Sequence, residues 1–152
     1  METQGLTFAL ESVFGSPAET WALSRAQWEE TEESYRAGHL MPDVQEYKRL
    51  EQSGMCRYFT ARFDGAMVGH ILFIVHSQRF TRESNASEDF FFLDKGHRKG
   101  TNAIRLLRFA VAQLQSEGVR QISMCSKLTA GRDIGVLLRR VGFRHVADLY
   151  VL

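Results

Sequence analysis

Between Arg57 and Val75 the residue order spells out an antiparallel β-hairpin, which constrains every fold open to this chain. Arg57 to Phe63 alternates apolar and polar side chains, Asp64-Gly65 suits a two-residue type I′ turn, and Met67 to Val75 returns. The next stretch demands the opposite pairing. Asp89 to Leu93 is a short strand, apolar on both faces and therefore central, and Lys95 to Gly100 is a basic, glycine-containing turn. Thr101 to Ser116 is a helix with Ala103, Leu107, Ala110, Val111 and Leu114 on one face and Gly118 as its stop, and Val119 to Ser126 is another strand. Strand, helix and strand joined by short links imply a right-handed parallel crossover. One sheet must then be antiparallel early and parallel late.

The remaining segments fit around that sheet. Leu6 to Val13 reads as a short strand, and Ser16-Pro17-Ala18-Glu19 has the form of a capping box opening a helix that carries Trp21, Leu23, Trp28 and Tyr35. Glu29, Glu30, Glu32 and Glu33 read as the solvated face of that helix. Pro42-Asp43 opens a second helix containing Val44, Tyr47 and Leu50, closed by Gly54. Ser77 to Ser87 is polar and reads as a loop. Asp133 to Val141 is a helix ended by Gly142, and Arg144 to Val151 is the last strand. The expected fold class is α/β: residues 1–152 as a single domain with a mixed, mostly antiparallel sheet flanked by helices.

The longest apolar runs, Phe90 to Leu93 and Ile71 to Val75, are strand-sized. A membrane-spanning helix needs about 20 apolar residues, so no membrane partner is expected. The start Met1-Glu2-Thr3-Gln4 lacks a basic-then-apolar signal segment, and Cys56 and Cys125 form no C-x-x-C pair; a reduced, cytoplasmic setting is expected. The formal net charge of +1 hides an asymmetry. Residues 95–152 hold eleven Lys or Arg against three Asp or Glu, and residues 1–94 hold eight against fifteen. Such a split suits a polyanion-facing surface, or basic residues that fold back beside acidic ones.

A helix directly after a strand offers unpaired backbone N–H groups and the positive end of its dipole to an anion. Here the turn reads Lys95-Gly96-His97-Arg98-Lys99-Gly100-Thr101-Asn102-Ala103, which is neither a Walker loop nor a G-x-G-x-x-G. A solvated basic turn is the plain alternative. Arg98-Lys99-Gly100-Thr101-Asn102-Ala103 nevertheless resembles the [QR]-x-x-G-x-[GA] signature of the GNAT superfamily of N-acetyltransferases, with Thr101 within it where Gly is usual. Gly142-Phe143 before a final strand matches a second habit of that family. With Trp28-Glu29-Glu30, Asp64-Gly65, Val68-Gly69 and Arg139-Arg140-Val141-Gly142-Phe143, the chain is similar along nearly its whole length to short GNAT-like proteins of bacteriophages and their bacterial relatives.

The resemblance implies an acetyl-CoA-dependent N-acetyltransferase that moves an acetyl group to a primary amine. Backbone groups of Leu93 and Asp94 would pair with the pantetheine arm. The N–H groups of Arg98, Lys99, Gly100, Thr101, Asn102 and Ala103 would cradle the pyrophosphate, each bond worth about 1.5–3 kcal/mol. A lysine-like amine is neutral at pH 7 in roughly one molecule in 2,500, so a base helps. Glu88 is the candidate, although Glu88 and Asp89 also suit the end of a loop in water. The tyrosine that many relatives use as an acid falls on Leu138, and a common asparagine falls on Gly131. Cys125 faces the cleft if the family architecture holds, and otherwise reads as a small buried hydrophobe. His97 reads as turn surface, and Trp28 and Tyr35 either line an acceptor pocket or anchor their helix. The histidines show no metal-ligand spacing, so no metal is expected. The acidic first helix favours a cationic acceptor. Nucleic acid is not the expected partner, and a homodimer stays open. The alternative function is a catalytically inactive protein of the same fold that binds a host protein or nucleic acid.

Overall fold

A computed structural model describes residues 5–34, 36–127 and 134–152. Tyr35, Gly131 and the expected helix start at Asp133 lie outside those residues. The order is β1 (Thr7–Glu11), α1 (Pro17–Gln27), a π-helical turn (Trp28–Glu32), α2 (Val44–Gln52), β2 (Cys56–Phe63), β3 (Ala66–Ser77), β4 (Ser84–Leu93), a 3-10 turn (Lys95–His97), α3 (Asn102–Ser116), β5 (Gln121–Ser123) and α4 (Gly135–Val141). The strands lie side by side in chain order. β1 to β4 are antiparallel and β5 is parallel to β4, which makes the mixed sheet the hairpin and crossover demand.

The hairpin turns where its sequence says, with Asp64 at φ 50° and Gly65 at φ 81°, the left-handed pair a type I′ turn requires. Strand alternation then sorts side chains onto two faces. Phe59, Ile71, Phe73 and Leu93 meet Leu106, Leu107, Ala110 and Leu114 of α3 and Leu138 of α4. Tyr58, Leu72 and Phe92 meet Val13, Leu23 and Leu50 on the α1–α2 side. Inside this second core, the Tyr58 hydroxyl lies 2.9 Å from Thr20 Oγ1 and 2.9 Å from His70 Nδ1. His70 is fully buried, and burial holds its pKa down to about 3.

Four expectations are corrected. Ser77 to Ser87 is not all loop: β4 begins at Ser84 and runs in register with β3 from Ser77↔Ser84 onward, because the ladder overrides the weak strand preference of Ser84-Asn85. The strand expected over Val119 to Ser126 shrinks to Gln121–Ser123, since only Asn85 to Ser87 pair with it. Arg144 to Val151 forms no strand and is exposed; a strand needs an edge to pair with, and β5 offers three residues. The capping box does not form, because Glu19 accepts from the Met67 N–H (2.7 Å) and from Arg62 (3.1 Å) instead of reaching back along its helix. Asp43, by contrast, caps α2 by accepting from the Glu46 N–H at 3.0 Å.

Candidate active site

β4 and β5 pair only as far as Ser87↔Ser123, and among the described residues the rest of β4, Glu88 to Leu93, has no strand partner on that side. The gap opens a cavity of about 270 Å³ whose lining includes Glu88, Phe91, Leu93, Arg98, Cys125 and Lys127. It lies beyond the carboxyl end of β5 and beside the start of α3, the usual place for a ligand in a sheet with parallel pairing. A bulge sharpens the divergence. Leu72 pairs with Phe90 and Phe73 with Glu88, so Asp89 is the extra residue and drops off the ladder. Its carboxylate is held on the opposite face by the Tyr47 hydroxyl at 2.5 Å.

Glu88 points into the gap. It is not a loop residue in water: its side chain is 3% exposed, and Oε2 accepts from the Cys125 N–H at 3.3 Å. Lys127 Nζ stands 3.6 Å from Glu88 Oε1 and 3.6 Å from Glu32 Oε1. Burial raises the Glu88 pKa above its ordinary 4.5, and the Lys127 ammonium opposes part of that rise. Cys125 is corrected from a buried hydrophobe to an exposed free thiol beyond the end of β5 that lines the cavity.

The acidic run is only half a solvated face. Glu29 and Glu33 are exposed, whereas Glu30 and Glu32 turn inward. The cause is the π turn, in which the Glu33 N–H reaches Trp28 O at 2.9 Å and ends the regular helix. Glu30 takes a bidentate pair of 2.7 Å bonds from Arg98, and Glu32 takes Arg36 Nε at 2.7 Å as well as Lys127. Residues two apart on an α-helix lie about 200° apart, so no helical face predicts this pair. Trp28 is half-buried and is not part of the cavity wall.

Of the two expected backbone partners on β4, Leu93 faces the gap and Asp94 does not. The Asp94 N–H donates to Val68 O on β3 at 2.8 Å, which turns the backbone groups of Leu93 and Phe91 toward the open side. Arg98 Nε donates to Leu93 O at 2.6 Å, with the guanidinium 5.2 Å from the Phe92 ring centre. The Arg98 N–H faces Lys95 O at 3.5 Å within the 3-10 turn. The first intrahelical bond of α3 runs from Arg105 N–H to Thr101 O, so the N–H groups of Asn102, Ala103 and Ile104 precede any such partner. His97 packs its ring 5.2 Å from that of Phe63 and so is not plain surface. Leu138, where an acid would stand, is buried in the α3-side core.

Sequence reasoning missed Lys127, and it named Glu30 and Glu32 only as part of the acidic run, without their inward pairing. Lys127 had a usable signal, because it follows a parallel strand at its carboxyl end. Among the described residues, no group of three or more His, Cys, Asp or Glu could hold a metal ion, and no helix is long and apolar enough to cross a membrane.

The same architecture recurs in solved structures. Ribosomal-protein-alanine N-acetyltransferase from Brucella melitensis biovar Abortus 2308 superposes with a TM-score of 0.76 at 18% identity, covering 97% of each chain. An aminoglycoside acetyltransferase from an uncultured soil metagenomic sample gives 0.74 at 14% identity, covering 97% of this chain and 95% of that one. A predicted acetyltransferase with acetyl-CoA from Clostridium acetobutylicum gives 0.69 at 9%, covering 97% and 96%. No curated protein matches the sequence. At those identities the likeness shows the fold alone, but the family model for the acetyltransferase (GNAT) family matches residues 20–143. The chain belongs to the acetyltransferase (GNAT) family.

Proposed function

We propose that this protein is an acetyl-CoA-dependent N-acetyltransferase that acylates a primary amine, with Glu88 as the base. The observation that carries the proposal is the buried Glu88 carboxylate at the mouth of the gap where β4 leaves β5. The residues around the gap suit an acyl-CoA. The open backbone groups of Phe91 and the Leu93 N–H can pair with a pantetheine arm, beside the Leu93 carbonyl that Arg98 holds. The N–H groups from Lys99 to Ala103, beside the charges of Lys95 and Lys99, can hold a pyrophosphate. Because Asp94 donates to Val68, the arm is assigned to Leu93 and Phe91 rather than to Leu93 and Asp94.

Glu88 takes a proton from the incoming ammonium, and the neutral amine attacks the thioester carbonyl. The bulge at Asp89 leaves backbone off the ladder, the kind of donor a developing oxyanion needs. With Leu138 buried in the core, the departing thiolate takes its proton from water. Glu88, a carboxylate in the cavity wall, favours a cationic acceptor.

Calorimetric titration with acetyl-CoA and with free CoA tests the proposal. Both bind the wild type, and Arg98→Glu, which sets a carboxylate beside Glu30 at the turn, weakens both by about tenfold or more. Absence of binding to the wild type overturns the enzyme assignment and favours the rival, a non-catalytic interaction protein of this fold. A salt-sensitive gel shift with nucleic acid would support that rival.

A further inference from the structure

The gap already contains a primary amine of the protein's own. Lys127 Nζ sits 3.6 Å from each of two buried carboxylates, Glu32 and Glu88, in the cavity that the open edge of β4 also lines. Its side chain is only 18% exposed, so it is committed to this cavity rather than to bulk water. The sequence holds three other lysines, Lys48, Lys95 and Lys99, and none lines the cavity. Lys48 lies over the Phe14 ring, and Lys95 and Lys99 stand exposed on the turn before α3. One lysine therefore stands beside the group positioned to take an amine's proton.

We propose that Lys127 is a self-acetylation site: its ε-amine is acylated by the acetyl-CoA bound in the same gap. This rests on the acetyltransferase assignment and adds an acceptor within the chain. The ε-ammonium gives one proton to the Glu88 carboxylate, and the resulting amine attacks the thioester carbonyl carbon. A C–N bond forms and the C–S bond breaks. The second amine proton is lost as the amide forms, and CoA leaves as the thiol after its thiolate is protonated. Nothing is oxidised or reduced, and Glu88 returns its proton to solvent. A single contiguous cavity makes the reaction intramolecular, where proximity replaces a bimolecular encounter.

The test incubates the full chain with acetyl-CoA labelled in the acetyl group, using wild type, Lys127→Arg and Glu88→Gln. Intact mass and peptide mapping follow the label, and calorimetry follows CoA binding separately. The proposal expects one label on Lys127, stable to neutral hydroxylamine, at a rate per molecule independent of protein concentration. The label is absent from Lys127→Arg and is slowed about 100-fold in Glu88→Gln while CoA binding persists. Label spread evenly over Lys48, Lys95 and Lys99, or hydroxylamine-labile label on Cys125, overturns it. So does a rate that climbs with protein concentration, or CoA binding without label, and in those cases the acetyltransferase assignment stands. Neither binding nor label overturns both.

Discussion

Glu88 and His70 are both ionisable, both buried, and opposite in what burial does to them. Glu88 must lose its proton to act as a base, and burial makes that harder, so its pKa sits above 4.5. Activity should therefore rise with pH through an acid limb placed above the ordinary carboxylate range. Glu88→Gln should remove that limb and lower kcat by roughly 100-fold to 10,000-fold, read from the pH dependence of thiol release. His70 must avoid a proton to stay in its site. Unfolded, it takes one near the ordinary 6.5; folded, it refuses until about 3. Its contribution to stability is therefore whole above about pH 6.5 and lost as pH falls from there toward 3, at up to about 1.4 kcal/mol per pH unit. Thermal unfolding between about pH 7 and pH 5 should show this loss in the wild type and a shallower one in His70→Gln. At this scale Glu88 was legible, since its place beside a central strand and the family resemblance both pointed to it. Lys127 was legible only in part: its place past the carboxyl end of a parallel strand was a signal, but the direction of its side chain is set by the loop.

Among the elements, the contact between β3 and β4 sets how tightly the gap is framed. A methyl group on Gly69 would come 2.7 Å from Leu93 Cδ1 and 3.3 Å from Phe92 O, a side chain and a backbone atom of the strand that lines the cavity. Gly69→Ala should cost about 1–3 kcal/mol in denaturant unfolding and weaken acetyl-CoA binding by shifting Leu93. The link between the π turn and the turn before α3 is equally specific. Arg98 holds Glu30 by two 2.7 Å bonds and Leu93 O by one of 2.6 Å. Arg98→Ala and Glu30→Gln should each destabilise, and a double-mutant cycle should show coupling of about 0.5–3 kcal/mol. The hairpin and α3 were readable because a turn pair and a helical period are local signals. β4 was half hidden, because Ser84 to Ser87 owe their strand state to β3. Arg144 to Val151 alternates well enough to read as a strand, but pairing depends on an edge the sequence cannot report.

For the whole molecule, the charge asymmetry is relieved in part by pairs across the fold. Arg98 meets Glu30, Lys127 meets Glu32 and Glu88, and Arg120 meets Glu83, each a basic residue of the later half against an acid of the earlier. Two of these pairs, at Arg98 and Lys127, lie beside the gap, while Lys95 and Lys99 stay exposed on the turn before α3, which suits an anion. A ligand bound only by the folded chain stabilises it by mass action. Acetyl-CoA at 100 times its Kd should add about 2.7 kcal/mol and raise Tm, whereas amines alone should not. Binding without chemistry would still satisfy that result, so turnover is decisive. The direct measurement is CoA thiol release with acetyl-CoA and a panel of polyamines, aminoglycosides, amino acids and basic peptides, paired with the mass of the acceptor. Thiol release should be matched one for one by an acetylated primary amine with at least one acceptor, and should be lost in Glu88→Gln. Tight acetyl-CoA binding with no acetylated amine from any acceptor, or full turnover by Glu88→Gln, would contradict the proposed mechanism.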